Sequence, residues 1–146
     1  MNPRMDMGKA APEAYAAMRA VSDYTKACGL EANLLEIVKV RASQVNGCAF
    51  CIQMHTRDAR KLGETEDRLH LLAAWREAPL YTPRERAALA WTEALTLLTE
   101  GHAPDDVYAE VRAQFSEEEI GKLTLAIGVI NSWNRIAVGL RMVPKG

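Results

Sequence analysis

The sequence lacks a hydrophobic run that approaches the roughly 18 residues needed to span a membrane. Its longest apolar runs, such as Leu71–Trp75 and Leu125–Ile130, are far shorter. The first nine residues carry charges but have no apolar block behind them, so they do not form a secretory signal. We therefore expect a cytoplasmic protein that has no membrane partner.

The chain also lacks a dominant charge. It has 18 Lys and Arg residues against 19 Asp and Glu residues, which gives a formal net charge of -1. This balance argues against a nucleic-acid partner, because such binders are strongly basic. Hydrophobic residues make up 49% and charged residues 25% of the chain, which excludes a mainly disordered protein.

No internal repeat and no linker rich in Pro, Gly or Ser divides the 146 residues. This length suits a single domain with one core. We expect residues 1–9 to form a loose tail and residues 10–146 to form the domain.

Apolar positions recur at helical spacing along the domain, and Pro and Gly residues bound the periodic segments. Thr82 with Glu85 and Ser116 with Glu119 form capping boxes, which mark helix starts. The sequence predicts an all-α fold, a compact array of six or seven helices. The predicted helical segments are Pro12–Gly29, Glu31–Val45, Cys48–Leu62, Thr65–Ala74, Thr82–Gly101, a short helix from Pro104, and Ser116–Leu140. The last of these is apolar nearly all round, so we expect it to lie at the centre of the fold.

Three cysteines are present, an odd number that argues against a disulfide scaffold. Cys28 lies on an apolar helix face and is interpreted as a buried, inert thiol. Cys48 and Cys51 form a Cys-x-x-Cys pair at the start of a helix, after the turn Asn46-Gly47. Free N–H groups and the helix dipole stabilise a thiolate at this place, and the thiolate is the reactive form.

Two further residues can join the thiol pair. His55 follows Cys51 by one helical turn, on the same face, and can carry a proton for that thiol. Glu36 lies on the preceding helix. If the two helices pack antiparallel, as a short turn favours, Glu36 and His55 come near the same level.

The segment Gln44–Gly63, with Glu36 before it, strongly resembles the AhpD-like alkylhydroperoxidase branch of the carboxymuconolactone decarboxylase family. A softer similarity extends through Trp91 to Arg135. The resemblance implies an all-α domain that assembles as a homo-oligomer, a trimer or a hexamer.

The resemblance also implies a hydroperoxidase. Cys51 would be the peroxidatic thiol, Cys48 the resolving thiol, and Glu36 with His55 the proton relay. The product would be a Cys48–Cys51 disulfide, the reversible stage of thiol oxidation. No bound cofactor is implied; a hydroperoxide is the substrate, and an external dithiol or a lipoyl-bearing protein is the reductant.

One residue departs from this pattern. The best-known peroxidase of the branch has a second His directly before the second cysteine, and Phe50 stands there in this chain. The missing proton-handling group motivates an alternative, a non-enzymatic redox sensor or a general disulfide oxidoreductase.

A third hypothesis is a zinc site that uses Cys48, Cys51 and His55, for which the fourth ligand would be Cys28, Glu36 or His70. The remaining polar and aromatic candidates are interpreted structurally. We expect His70 and His102 at the surface, Trp91 and Trp133 in the core or at subunit contacts, and Asn131, Asn134 and Arg135 bonded to other helices or across an interface.

Overall fold

The computed structural model describes all 146 residues, and it contains helices but no strand. The all-α prediction is confirmed, with eight α-helices where six or seven were expected. The helices are α1 (Met7–Ala10), α2 (Pro12–Lys26), α3 (Ala32–Asn46), α4 (Ala49–Lys61), α5 (Glu66–His70), a 3₁₀ helix (Leu71–Glu77), α6 (Pro83–Thr96), α7 (Asp105–Gln114) and α8 (Glu117–Leu140).

Both predicted capping boxes are present. Thr82 and Glu85 cap α6, and Ser116 and Glu119 cap α8, each with the two reciprocal hydrogen bonds. The far end of α6 differs from the prediction, since the helix ends at Thr96 rather than at Gly101. Leu97 and Leu98 are exposed, so burial of their side chains does not stabilise a further helical turn after Thr96.

The predicted helix Thr65–Ala74 is split into α5 and the 3₁₀ helix that continues to Glu77. Ala74 has non-helical angles at the kink (φ -121, ψ 32). The kink accompanies the burial of Leu72 and Trp75 in the main core, which local helix propensity cannot anticipate.

The N-terminal segment is more ordered than the expected loose tail over residues 1–9. Asp6 caps the single turn α1, where its side chain accepts a hydrogen bond from the Lys9 backbone N–H. Arg4 donates to the carbonyls of Gly139 and Leu140 at the end of α8. These long-range bonds fasten the segment to the helical domain.

The most buried helix is α3, and α8 packs across it and also contacts α2, α4, α6 and α7. By length and mean hydropathy alone, α8 could cross a membrane. The short uninterrupted apolar runs of the sequence do not predict a helix of this kind. However, 44% of its most apolar window is buried inside the protein, as in the central helix of a helical array. The Ile and Val residues of Leu125–Ile130 lie within this helix.

The reversal between α3 and α4 depends on Gly47. This residue caps α3 in the left-handed region (φ 66, ψ 33), which glycine adopts without the penalty of a Cβ atom. The amide of Cys48 then donates to the carbonyl of Ser43, which closes the turn. The two helices pack side by side in opposite directions, so the middle of α3 faces the second turn of α4.

Candidate redox site

The two sulfurs of the Cys-x-x-Cys pair lie at the N-terminus of α4. Cys48 is the N-cap residue, and its Sγ accepts the backbone N–H of Cys51 at 3.4 Å. Both cysteines are free thiols, and they are only 1% and 2% exposed. The pair therefore sits inside the protein, with a backbone donor aimed at the first sulfur.

Glu36 and His55 are in direct contact one turn below the thiols. Nδ1 of His55 lies 3.0 Å from Oε2 of Glu36, and both residues are buried. The antiparallel hairpin thus brings the two residues to the same level, as their spacing in the sequence predicted. His55 follows Cys51 by one turn on α4, so the acid, the imidazole and the thiols occupy one region.

A second partner of Glu36 lies on its own helix. The Lys39 ammonium donates to Oε1 of Glu36 at 3.1 Å, and Lys39 is buried as well. Burial by itself would raise the pKa of Glu36. The hydrogen bond with His55 and the charge of Lys39 outweigh this effect and hold the pKa of Glu36 below its ordinary value.

The pKa values of the two thiols are shifted in opposite directions. A hydrogen bond from the Cys51 thiol lowers the pKa of Cys48 to about 7, and the Cys51 backbone N–H and the Asn134 side chain act in the same direction. The hydrogen bond to Cys48 and burial raise the pKa of Cys51. When the pair loses one proton, these effects favour the negative charge on Cys48 and the remaining proton on Cys51.

A network of amides and hydroxyls from three helices supports the thiols. Asn134 on α8 donates to Ser43 Oγ at 3.0 Å and accepts from Asn46 Nδ2 at 2.9 Å. Asn46 also donates to Asn131, which in turn donates to Thr96. The prediction that these two α8 asparagines bond to other helices is confirmed.

A cavity of about 270 Å³ opens beside Cys51 and His55. Cys51 lines it, whereas Cys48 does not. Lys39 and Asp58 also face this cavity. Its walls are largely apolar, and charged residues of α2 stand at its exposed rim. The apolar wall residues include Phe50, Met54, Val129, Ile130, Trp133 and Met142.

The donor atoms close enough to share a metal ion are those of Glu36, His55 and Asp58, which lie within 4.8 Å of one another. Neither cysteine belongs to this group, so the proposed zinc ligand set of Cys48, Cys51 and His55 is not assembled. The Lys39 ammonium is already bound to Glu36, and its positive charge opposes a cation at this place.

Several interpretations of single residues are confirmed. Cys28 is buried in the main core, where its thiol donates to the carbonyl of Thr25. His70 and His102 are exposed. Trp91 is a core residue that donates to Thr124 Oγ1.

Two α8 residues lie outside the core and bond to no other helix, and their expected contacts with another subunit stay predictions. Arg135 is exposed and bonds only to Asn131 of its own helix. Trp133 lines the cavity, where its ring meets Tyr15 of α2 edge to face at 5.7 Å. The cavity forms where α2 meets α4 and α8, and the sequence carries no signal for that meeting.

Lys39 and Asp58 are the site residues that the spacing argument missed. Lys39 could be read as a surface partner of Glu36, which is the ordinary place for a helical Glu/Lys pair. The signal that could have found it is its position three residues after Glu36, with the apolar neighbours Ile37, Val38 and Val40 on either side.

The chain is similar to proteins of a known family and fold. Residues 12–94 match the model of the carboxymuconolactone decarboxylase family. An uncharacterized protein of Bacillus subtilis, YdfG, is 45% identical over 140 residues, which cover 96% of this chain and 95% of that protein.

Solved structures show the same fold. ATU0492 of Agrobacterium tumefaciens, a protein of unknown function described as a candidate AhpD antioxidant-defence protein, is 47% identical, with a TM-score of 0.97 over 99% of both chains. The AhpD core of an uncharacterized peroxidase-related protein from Ralstonia eutropha has a TM-score of 0.83 at 20% identity, covering 95% of this chain and 74% of that one.

Proposed function

The chain belongs to the carboxymuconolactone decarboxylase family and has the AhpD-like fold, and we propose that it is a thiol-dependent hydroperoxidase. The observation that carries the proposal is the placing of Cys51 on the wall of an apolar cavity, next to the buried pair Glu36–His55. An apolar cavity with a few convergent polar groups suits an organic hydroperoxide.

Cys51 is the peroxidatic thiol, since it is the sulfur that an occupant of the cavity can reach. As Cys51 attacks the terminal oxygen of the hydroperoxide, its proton passes along the existing hydrogen bond to the Cys48 thiolate. The S–O bond forms, the O–O bond breaks, and Cys51 becomes a sulfenic acid. The Cys48 thiol then displaces water from this sulfenic acid, and the Cys48–Cys51 disulfide forms.

Glu36 and His55 form the proton relay. The carboxylate of Glu36 fixes the orientation of the imidazole through Nδ1, which leaves the other ring nitrogen for exchange with the cavity. His55 can take the extra proton from a fully protonated thiol pair, so that the pair returns to its reactive, singly charged form. Relay groups of this kind raise rates by about 10²-fold or more.

Regeneration uses an external dithiol, either a small molecule or a lipoyl group on a protein. One thiolate of the donor attacks Cys51 through the cavity, and Cys48 leaves as the thiolate. A thiol of low pKa is a good leaving group, and the pKa of Cys48 is lowered to about 7. The second donor thiol then releases Cys51, and the donor becomes a disulfide. A reducing compartment such as the cytoplasm supplies such donors.

A redox sensor is the second candidate function, and Phe50 is the observation that favours it. Its ring lines the cavity and packs against the thiols at the place where the related peroxidase has an imidazole. A sensor would form the disulfide once and would not turn over. Steady-state consumption of tert-butyl hydroperoxide with excess dihydrolipoamide separates the two functions, because only the enzyme consumes many equivalents.

The assignment of the two thiols is tested by treating the reduced protein with one equivalent of tert-butyl hydroperoxide. Mass spectrometry is expected to show a Cys48–Cys51 disulfide in the parent. The Cys48→Ser variant is expected to stop at a Cys51 sulfenic acid that dimedone traps. The Cys51→Ser variant is expected to lose peroxide consumption.

The matched control is Cys28→Ala, which removes a thiol outside the cavity and is expected to react like the parent. Peroxide consumption by Cys51→Ser at the parent rate, or an oxidised Cys28 in the parent, would overturn the proposed function.

A further inference from the structure

The reaction proposed above creates a second demand for a proton, at the oxygen that leaves. When the O–O bond of an alkyl hydroperoxide breaks, the bonding electron pair stays on the departing alkoxide. An alkoxide is a strong base and a poor leaving group, so its departure from an apolar cavity requires a hydrogen-bond donor that supplies a proton. Phe50 lines the cavity beside Cys51, and its side chain has no hydrogen-bond donor.

Lys39 is a buried cation on the wall of the same cavity. Its side chain is 8% exposed, and its one hydrogen-bond acceptor in the structure is Oε1 of Glu36 at 3.1 Å. An ammonium group has three N–H donors, so two of them are free for an occupant of the cavity. The carboxylate of Glu36 compensates the charge of Lys39, which makes its burial tolerable.

The other buried polar groups of the cavity, and its charged groups, are less suited to this task. His55 is committed to Glu36 through Nδ1 and serves the thiols one turn away. The hydroxyl of Thr25 donates to the carbonyl of Ser22. Asp58 is a carboxylate, and the remaining cations, Arg19 and Lys26, stand at the exposed rim. Lys39 is thus a buried hydrogen-bond donor that no other step of the proposed reaction uses.

We propose that Lys39 is a further catalytic residue, which binds the departing oxygen of the hydroperoxide and protonates it. In this step the Cys51 sulfur takes the terminal OH, the O–O bond breaks, and an N–H proton of Lys39 passes to the alkoxide, so that an alcohol leaves. The neutral amine regains its proton from water at the mouth of the cavity. The inference rests on the proposed hydroperoxidase function and adds a role for one residue.

The test compares two oxidants whose leaving groups differ in basicity. Single-turnover oxidation of Cys51 is followed by quenching and mass spectrometry, with tert-butyl hydroperoxide and with peracetic acid. The first releases an alkoxide that needs a proton, whereas the second releases a carboxylate that needs none. Lys39→Met keeps the length of the side chain but removes the donor. We expect about a 10²-fold slower reaction with the alkyl hydroperoxide and a much smaller change with the peracid.

Two further variants complete the design. Lys39→Arg keeps a charged donor and is expected to recover part of the rate with the alkyl hydroperoxide. Lys122→Met, at a half-buried lysine outside the cavity that pairs with Glu118 on α8, is the matched control and is expected to behave like the parent.

The outcomes separate the two proposals. If Lys39→Met lowers the rates with both oxidants by the same factor, or lowers neither, Lys39 does not protonate the leaving oxygen, while the hydroperoxidase proposal stands. If the parent protein forms no Cys48–Cys51 disulfide with either oxidant, the hydroperoxidase proposal itself fails. Far-ultraviolet circular dichroism of each variant shows whether it is folded, since the protein is helical throughout.

Discussion

Glu36 has two buried partners inside the protein. It accepts from Lys39 with one oxygen and meets His55 with the other, and together they keep its pKa below the ordinary value. In the proposed relay, a carboxylate that stays ionised would balance the positive charge when His55 takes up a proton. The same contact keeps the ammonium of Lys39 in the cavity, so Glu36 links both proton-handling groups.

Replacing Glu36 by Gln should therefore slow Cys51 oxidation by about 10²-fold, because the relay loses its charge while the side chain keeps its size. Stopped-flow measurement of peroxide reduction in single turnover checks this expectation. Glu66→Gln, at an exposed partner of Arg60, is the control and should leave the rate unchanged. A parent-like rate in a folded Glu36→Gln protein would remove Glu36 from the relay.

Helix α4 shapes the chemistry of the thiols through its first turn. Cys48 is the N-cap residue, and its sulfur receives the backbone N–H of Cys51 where a hydroxyl or carboxylate oxygen usually sits. Hydrogen bonding with the Cys51 thiol and with the Asn134 side chain on α8 also lowers the pKa of Cys48. The low pKa of Cys48 thus belongs to the helix start and its neighbours rather than to the thiol alone.

This arrangement predicts how the pair titrates. The reduced protein should develop thiolate ultraviolet absorbance with a midpoint at about pH 7, because the pKa of Cys48 lies there. In Cys51→Ala the thiol donor is gone, so the midpoint should move to higher pH. An unchanged midpoint in Cys51→Ala would show that the two thiols do not share a proton.

The whole molecule leaves large apolar side chains in contact with solvent. Eight of them are between 41% and 51% exposed: Met5, Tyr24, Met54, Leu62, Leu71, Leu98, Tyr108 and Val138. Surface of this kind is often covered by association with other copies. The expectation that the chain forms a homo-oligomer, a trimer or a hexamer, stays a prediction.

Light scattering coupled to size-exclusion chromatography checks the predicted homo-oligomer. The expected mass is three or six times the 16.2 kDa of one chain. The same measurement on the oxidised and the reduced protein shows whether the assembly depends on the disulfide; we expect no dependence, since both sulfurs are buried within one chain. A mass of one chain at micromolar concentration would contradict the prediction.

The sequence by itself determined the helical class, the capping boxes at Thr82 and Ser116, and the meeting of Glu36 with His55. These features depend on contacts between near neighbours or across one short turn, where helical geometry leaves little freedom. The bounds of α6 and the kink at Ala74 were not predictable, because they depend on which side chains the distant core accepts.

Only the tertiary structure decided that Lys39 is a buried wall residue, that Trp133 faces the cavity and that Cys51 rather than Cys48 lines it. Each of these facts depends on how α2 and α8 pack against the α3–α4 hairpin. Residues more than 80 positions apart, such as Asn46 and Asn134, meet there. Spacing along one chain specifies which residues share a helix face, but the packing of separate helices selects the face that encloses a cavity.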